Sequence, residues 1–471
     1  MLKTKIVCTM GPACDSISLL KSMIQSGMTV ARLNMAHGEP EDHLKRINNV
    51  RQAAAELNTI VPIMMDIKGP EVRIGKLRED SVMIKPGQIL TLTTEEILGD
   101  AERIAVNYPD MPKVVKTGDR ILIDDGLVDL RVKSVESTEM HCEIISGGIL
   151  KPRKGVNLPG IKTTLPGVTE RDVKHIMFGL EHNIEIIAAS FVRKGDDIRE
   201  IRSILEKHGA GHVQIISKIE NEEGMTNLDD IIEASDGIMV ARGDLGVEVP
   251  VQEVPVMQKE MIDKCNLAGK PVIVATHMLE SMQVNPRPTR AEVSDVFNAV
   301  IQGADAVMLS GESAAGKYPL ESVQTMAAVA LRAEHQIDYR VQFDSKRSQH
   351  ANNITETISQ GAVNSSLELD ASAIITSTES GFTARMISKY RPAAPIIAVT
   401  QHEEVLPQMC LLSGVIPVKG VKVSSTDEMF ESATHHALRS GHIKKGDIIV
   451  LSAGVPIGQT GNTNLIKVQQ V

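Results

Sequence analysis

The sequence predicts an α/β fold: a (β/α)8 TIM barrel carrying an inserted small β-barrel lid, followed by a C-terminal α/β domain. Three observations carry this prediction. Strand-like and helical segments alternate over residues 1–70 and again over 168–344, which implies βαβ units and a parallel sheet. Residues 71–167 break that rhythm with short β-rich pieces split by Gly, Pro and Asp. Residues 345–471 restart it on a shorter scale.

Lys5–Thr9, Val30–Asn34 and Val61–Ile67 are the first three strands, with helical spacing over Ser16–Ser26 and Glu41–Leu57 between them. The lid strands are Val72–Leu77, Val82–Ile84, Ile89–Thr93, Arg120–Ile123, Leu127–Val135 and Met140–Ile145, with no helix expected among them. Five more barrel strands follow: Ile184–Val192, Val213–Ile219, Gly237–Ala241, Pro271–Thr276 and Asp305–Leu309. Eight βα units over roughly 245 residues match the ~250 of a (β/α)8 barrel, whereas an open doubly wound sheet seldom needs eight. The polar stretch Asp344–Gln349 is the expected boundary to the last domain. There, helices over Thr355–Leu369, Thr383–Tyr390, Glu404–Ser413 and Asp427–Arg439 alternate with strands at Ala373–Thr376, Ile396–Thr400, Val415–Val418, Asp447–Leu451 and Leu465–Val471.

Composition narrows the function. The chain has 471 residues, with Lys+Arg 50 against Asp+Glu 60 and a net charge of −10. An acidic balance disfavours nucleic acid and anionic membrane as partners, since both reward basic surfaces. Trp is absent and aromatics make up 2%, leaving few bases-stacking platforms and cores filled by aliphatics and Met. Five cysteines without CxxC spacing point to a reducing, cytoplasmic setting and away from zinc or disulfides. No apolar run reaches the ~18 residues of a membrane span, and the start of the chain does not read as a signal peptide. Neither GxGxxG nor GxxxxGK[ST] occurs, so nucleotide binding cannot rest on a Gly-rich loop.

In a barrel, catalytic groups sit where strands meet their following loops. Arg32 and Asn34, Asp66 and Lys68, Lys218 and Glu220, and Arg242 and Asp244 each stand two apart at such ends, a spacing that puts both on one face of a strand. Thr276, Ser310 and Glu312 join them from the last two strands. Structural ion pairs explain any single pair, but charge on four strand ends costs desolvation unless a ligand or metal uses it. Glu220 and Asp244, without His or Cys, suit a hard cation such as Mg²⁺. Arg32, Arg73 and Lys218 supply the positive charge that a phosphoryl group requires, and Gly243 lets a small carboxylate approach the backbone. Cys8 reads as a core thiol, and His37 and His277 lack metal-ligand spacing.

The chain also closely resembles the pyruvate kinases. The resemblance rests on Lys5-Ile-Val-Cys-Thr-Met-Gly-Pro12, Arg32-Leu-Asn-Met-Ala-His-Gly38, Asp66-Ile-Lys-Gly-Pro-Glu-Val-Arg73 and Lys154-Gly-Val-Asn-Leu-Pro-Gly160. It continues through Ile216-Ser-Lys-Ile-Glu-Asn221, Met239-Val-Ala-Arg-Gly-Asp-Leu-Gly246, Ala275-Thr-His-Met-Leu-Glu-Ser281, Pro286-Arg-Pro-Thr-Arg-Ala-Glu292 and Leu309-Ser-Gly-Glu312. It implies glycolytic phosphoryl transfer from phosphoenolpyruvate to ADP, giving ATP and pyruvate. By the same resemblance Arg32, Lys218, Gly243, Asp244 and Thr276 contact phosphoenolpyruvate, and Glu220 and Asp244 hold Mg²⁺. Lys218 then bridges the moving phosphoryl group, and Thr276 lies near the face at which the enolate is protonated. Arg73 and Lys154, at the lid junctions, face the nucleotide phosphates. Homotetramers are implied as well.

One departure carries chemistry. In similar enzymes K⁺ is held by residues matching Asn34, a serine at position 36, Asp66 and the carbonyl of residue 67. Here Ala36 removes a side-chain oxygen, Ile67 replaces a threonine, and Glu71 matches the acidic residue of K⁺-dependent members, so a weakened K⁺ requirement is expected. In the last domain, Thr378, Ser380, Gly381 and Thr383 resemble the family's sugar-phosphate effector loop, although Glu379 repels phosphate and an ordinary capping turn explains the same residues. The rival readings are a catalytically inactive metabolite-binding regulator and a metal-dependent aldolase or lyase. Intact Lys218, Glu220, Asp244 and Thr276 oppose the first, and a lid bearing Arg73 and Lys154 opposes the second.

Overall fold

A computed structural model describes residues 1–348 and 353–471. Gln349, the end of the expected boundary stretch, lies outside the described residues. Eight parallel strands close into a barrel: β1 (Lys5–Thr9), β2 (Met28–Asn34), β3 (Ile63–Ile67), β4 (Ile186–Ala189), β5 (Gln214–Ile219), β6 (Gly237–Ala241), β7 (Val272–Ala275) and β8 (Ala306–Leu309). Each strand pairs with its sequence neighbours, and β8 returns to β1 through Lys5–Ala306 to Cys8–Leu309. Alternation decides the packing. Val7, Val30, Met64, Ile216, Met239 and Met308 fill the barrel interior, while Ile6, Cys8, Met65 and Ile215 face the surrounding helices. All five cysteines are buried free thiols.

Leu411, from the C-terminal unit, joins the interior cluster at the amino end of the barrel. Around it Lys5 Nζ donates to the Val415 carbonyl (2.7 Å), Gly414 N to the Lys3 carbonyl (3.0 Å), and Arg391 forks onto Asp305 (2.7 and 2.9 Å). The carboxyl end of the barrel is thus left for the lid.

The lid core of Ile74, Leu90, Leu130, Cys142 and Val156, among others, is wrapped by a seven-stranded sheet and a two-stranded ribbon. The bridge Ile74–Val106 joins the two outer strands of the larger sheet, so it comes round on itself. One turn of helix, Met111–Val114, interrupts the expected all-β lid.

The last unit is a five-stranded sheet of β9 (Ala373–Ser377), β10 (Ile396–Thr400), β11 (Val415–Lys419), β12 (Ile448–Ala453) and β13 (Leu465–Gln470), with only β13 antiparallel. The helix expected over Glu404–Ser413 shrinks to Val405–Gln408. The chain then tightens into i to i+3 bonds from Met409 to Leu406 and from Cys410 to Pro407. Part of the polar stretch expected as a boundary is instead the end of helix Tyr339–Arg347, started by Asp338, whose carboxylate accepts from the amides of Arg340 and Val341.

Candidate active site

The carboxyl ends of β2, β3 and β5 bring four charged side chains into one buried ring. Asp66 accepts from Arg32 Nε at 2.8 Å through one oxygen, and from Ser190 Oγ (3.0 Å) and Lys218 Nζ (3.3 Å) through the other. Lys218 also pairs with Glu220 at 3.0 Å and donates to Ser190 Oγ at 2.6 Å. Arg32 reaches back to Thr9 Oγ1 on β1, 2.8 Å away. None of the four is more than 9% exposed. Buried charges persist only when paired in this way.

The pairing sets the protonation states. Burial by itself opposes the Lys218 charge, but Asp66, Glu220 and Asp244 outweigh it and hold the ammonium firmly protonated. Burial likewise opposes ionised Asp66, yet Arg32 and Lys218 keep its carboxyl below the usual range. Glu220 goes the other way, pushed up to about 7 by burial and by Asp244 despite Lys218 and a 2.6 Å bond from the Phe191 amide. Asp244 is raised as well, chiefly by burial and further by Asp125.

Asp244 does not stand at a strand end two residues from Arg242, as the spacing implied. Both belong to helix Arg242–Glu248, which starts directly after β6, so strand parity does not relate them. Arg242 turns away from the ring, donating to the carbonyls of Ala275 (3.1 Å) and Thr276 (2.6 Å) and pairing with Asp295. Asp244 instead meets Glu220, in the first turn of that helix where a carboxylate is favoured. Gly243 N donates to Thr276 Oγ1 at 2.8 Å. Thr276 (φ 65°) and His277 (φ 54°) are left-handed, as is Phe191 (φ 55°), and such strain collects where side chains are held for function. Glu312 is no open ligand. It is fully buried and accepts from the amides of Leu279 (3.0 Å) and Ser310 (2.7 Å), fastening the loops after β7 and β8 together.

A cavity of about 680 Å³ lies between barrel and lid and meets the ring through Asp244. Asp244, Phe191, Asn221 and His37 line its barrel side, and Arg73, Lys154 and Asp125 line its lid side. Arg73 rests on Glu71 (2.6 Å) and Lys154 on Asp124 (2.7 Å). Two carboxyl groups with oxygen donors only, both raised and in contact, fit a hard divalent cation. The loop after β2 is thinner. Asn34 Oδ1 accepts from the Ala36 amide (3.1 Å), Asp66 is committed to the ring, and Ala36 brings no oxygen.

Comparison with known proteins agrees with this geometry. A pyruvate kinase barrel-domain model matches residues 1–323, and a pyruvate kinase alpha/beta-domain model matches residues 356–469. The chain is 51% identical to a pyruvate kinase of Geobacillus stearothermophilus, over all of this chain and 80% of that protein. It is 47% identical to one of Clostridium acetobutylicum, over the full length of both. A crystal structure of a pyruvate kinase from Cryptosporidium parvum superposes with a TM-score of 0.93 at 42% identity, covering 100% of this chain and 96% of that one. The chain belongs to the pyruvate kinase family.

Within that family frame, the ring contains a residue that strand-end reasoning passed over. Ser190 joins Asp66 to Lys218, and its signal was a lone hydroxyl closing the apolar run of β4. The loop resembling the effector site begins at β9 and starts helix Phe382–Ser388, with Gly381 left-handed at φ 75°. It faces the segment Gly454–Asn462 across a small cleft. Thr383 Oγ1 is buried against Thr463 Oγ1 (2.9 Å), and Glu379 is paired with His402 (2.7 Å).

Proposed function

We propose that this chain transfers the phosphoryl group of phosphoenolpyruvate to ADP, forming ATP and pyruvate. The observation that carries this reading is the buried Arg32–Asp66–Lys218–Glu220 ring, joined through Glu220 to Asp244, which lines a cavity together with Arg73 and Lys154. The P–O bond to the enol oxygen breaks as a β-phosphate oxygen of ADP bonds to phosphorus. Lys218 and Arg32, fixed in place by Asp66, meet the charge carried on the transferring oxygens without reorganising. The enolate left behind takes a proton at its terminal carbon. Thr276, held by the Gly243 amide, stands on the side from which that proton arrives. Glu220 and Asp244 are the ligands for Mg²⁺, which supplies charge neutralisation and orientation when bound. Arg73 and Lys154 take the nucleotide phosphates, and the lid excludes water from the transfer.

The further readings rest on family likeness. K⁺ is held through Asn34, Asp66 and the Ile67 carbonyl, more weakly for want of an oxygen at Ala36. Thr378, Ser380, Gly381 and Thr383 form the effector loop for a phosphorylated metabolite, with the Thr383 hydroxyl released from Thr463 on binding. The working units are a barrel of 1–70 with 168–344, a lid of 71–167 and a regulatory domain of 345–471, assembled as a cytoplasmic homotetramer. Among the described residues no helix is long and apolar enough to cross a membrane.

The test is pyruvate release from phosphoenolpyruvate, coupled to NADH oxidation by lactate dehydrogenase, with and without ADP. The reading expects pyruvate only with ADP and Mg²⁺. Pyruvate formed at equal rate without ADP, or none under either condition, overturns it.

A further inference from the structure

One imidazole outside the charge ring is buried with both of its nitrogens unpaired. His43 stands near the start of helix Pro40–Glu56 and is 3% exposed, yet neither Nδ1 nor Nε2 completes a hydrogen bond. Buried polar groups almost always find partners, and a phenyl ring would fill this space without the penalty of two unpaired nitrogens. The ring's surroundings are mixed. Its own helix presents Asp42 and Arg46, helix Glu170–Glu181 presents His175, and the loop after β2 presents the His37 carbonyl. Arg46 is committed to Asp15 through Nε (3.0 Å), and His175 Nδ1 is itself without a partner. Burial and the neighbouring Arg46 charge keep the His43 imidazole neutral, so one nitrogen carries a proton that it can donate.

The ring lies against the loop that joins β2 to this helix. Gly38 is left-handed at φ 88°, and a Cβ there would lie 3.4 Å from His43 Nε2 and 3.5 Å from Arg46 Nη1. The His37 carbonyl is bonded to the Gly38 nitrogen, so Nε2 is the nitrogen placed to reach it. The first part of the loop is fixed to the barrel: the Met35 amide donates to the Asp66 carbonyl (3.0 Å), and the Met35 carbonyl accepts from Arg171 (3.5 Å). Further on, the His37 amide meets the Asn34 carbonyl at 3.3 Å, and His37 lines the cavity between barrel and lid.

We propose that His43 is a positioning residue for the nucleotide: as ADP settles against His37, the loop turns about Gly38 and the His37 carbonyl accepts the Nε2 proton of His43. This rests on the reading that the cavity admits ADP. The unpaired ring is then a waiting donor, satisfied only in the loaded site, and its bond holds His37 where the nucleotide meets it. A donor already fixed on a helix needs little ordering when its acceptor arrives. His43 bonds to nothing on the barrel floor, so phosphoenolpyruvate binding and the chemical step lie outside its influence.

The experiment compares the wild-type chain with His43→Phe and His43→Gln, reading kcat and the separate KM values for ADP and phosphoenolpyruvate. His43→Phe keeps a ring and removes both nitrogens. It is expected to raise the ADP KM about fivefold, the worth of one hydrogen bond, with kcat and the phosphoenolpyruvate KM within about twofold of wild type. His43→Gln places an amide donor where Nε2 stood and should bring the ADP KM back to within about twofold of wild type. In the wild type, saturating ADP with Mg²⁺ should slow amide hydrogen exchange over Met35–Gly38, a measurement that stands even where a variant fails to fold. A wild-type chain without ADP-dependent pyruvate formation overturns the functional reading itself. With an active wild type, the role of His43 alone is overturned by an ADP KM unchanged in His43→Phe or by both KM values rising together. It is equally overturned by His43→Gln behaving like His43→Phe, or by exchange in the loop that ADP leaves unaltered.

Discussion

The two halves of the site hold their cations in opposite ways. On the barrel floor, Lys218 and Arg32 are almost wholly buried and joined to carboxylates that are buried with them. On the lid side, Arg73 and Lys154 are each 38% exposed and rest on Glu71 and Asp124. Water-screened pairs of that kind are worth little, ~0–1 kcal/mol, so an arriving phosphate displaces them at small cost. The floor pairs are the reverse case, since breaking one leaves an uncompensated buried charge. The floor is therefore preorganised before substrate arrives, and the lid edge is built to exchange partners on arrival.

Removing one cation from each half breaks this comparison most directly. On the proposed function, Lys218→Met deletes the positioned charge that meets the transferring phosphoryl group and should lower kcat about 10³-fold, the scale of losing one preorganised electrostatic contact. It also leaves Asp66 and Glu220 facing each other, costing about 3–5 kcal/mol of stability, which a lower melting temperature reveals. Lys154→Met should barely move the melting temperature and should raise the ADP KM on the order of tenfold, as expected for a charged hydrogen bond. Equal losses of stability in the two variants would erase the distinction between floor and lid.

Proton linkage sharpens the account of the floor. Burial raises Glu220 from its ordinary carboxyl range to about 7, so the folded metal-free chain holds a proton that the unfolded chain has already lost. That contribution to stability is fully present below the ordinary Glu range and disappears as pH rises through 7. On the proposed function, Mg²⁺ at Glu220 and Asp244 must displace the same proton below 7 and meets an ionised pair above it. Apparent Mg²⁺ affinity, followed by calorimetry, should weaken about fivefold from pH 7 to pH 6 and level off above pH 8. A flat profile from 6 to 8 would show that the pair binds no shared proton.

What the sequence made legible follows the same division. The barrel strands could be read because each is short and mostly apolar, and Asp66, Lys218 and Glu220 fall at or just beyond their carboxyl ends. Arg242 and Asp244 shared that spacing, yet a helix begins within the motif and sends the arginine to the Thr276 loop. Local spacing carries no record of where a strand stops. Ser190 and the Phe191 amide escaped notice because their role exists only once β3, β4 and β5 stand side by side. The segment Glu404–Ser413 shows the opposite case, where a helical pattern gave one turn of helix and then tighter i to i+3 bonds.

The smallest effect concerns Ala36, which brings no side-chain oxygen to the loop after β2. The Ala36 amide already donates to Asn34 Oδ1, so the loop is folded in the shape that a hydroxyl at this position would complete. Ala36→Ser adds an oxygen to a half-exposed turn without altering that bond, and its effect on melting should stay within about 0.5 kcal/mol, as for most surface changes. The added donor should lower the K⁺ concentration for half-maximal activity about threefold to tenfold, with kcat at saturating K⁺ little changed. The parent chain itself should remain faster in K⁺ than in tetramethylammonium, which is too large for the same oxygens. Identical rates in the two salts would mean that Arg32 and Lys218 alone supply the positive charge, and the floor would then be complete without a monovalent ion.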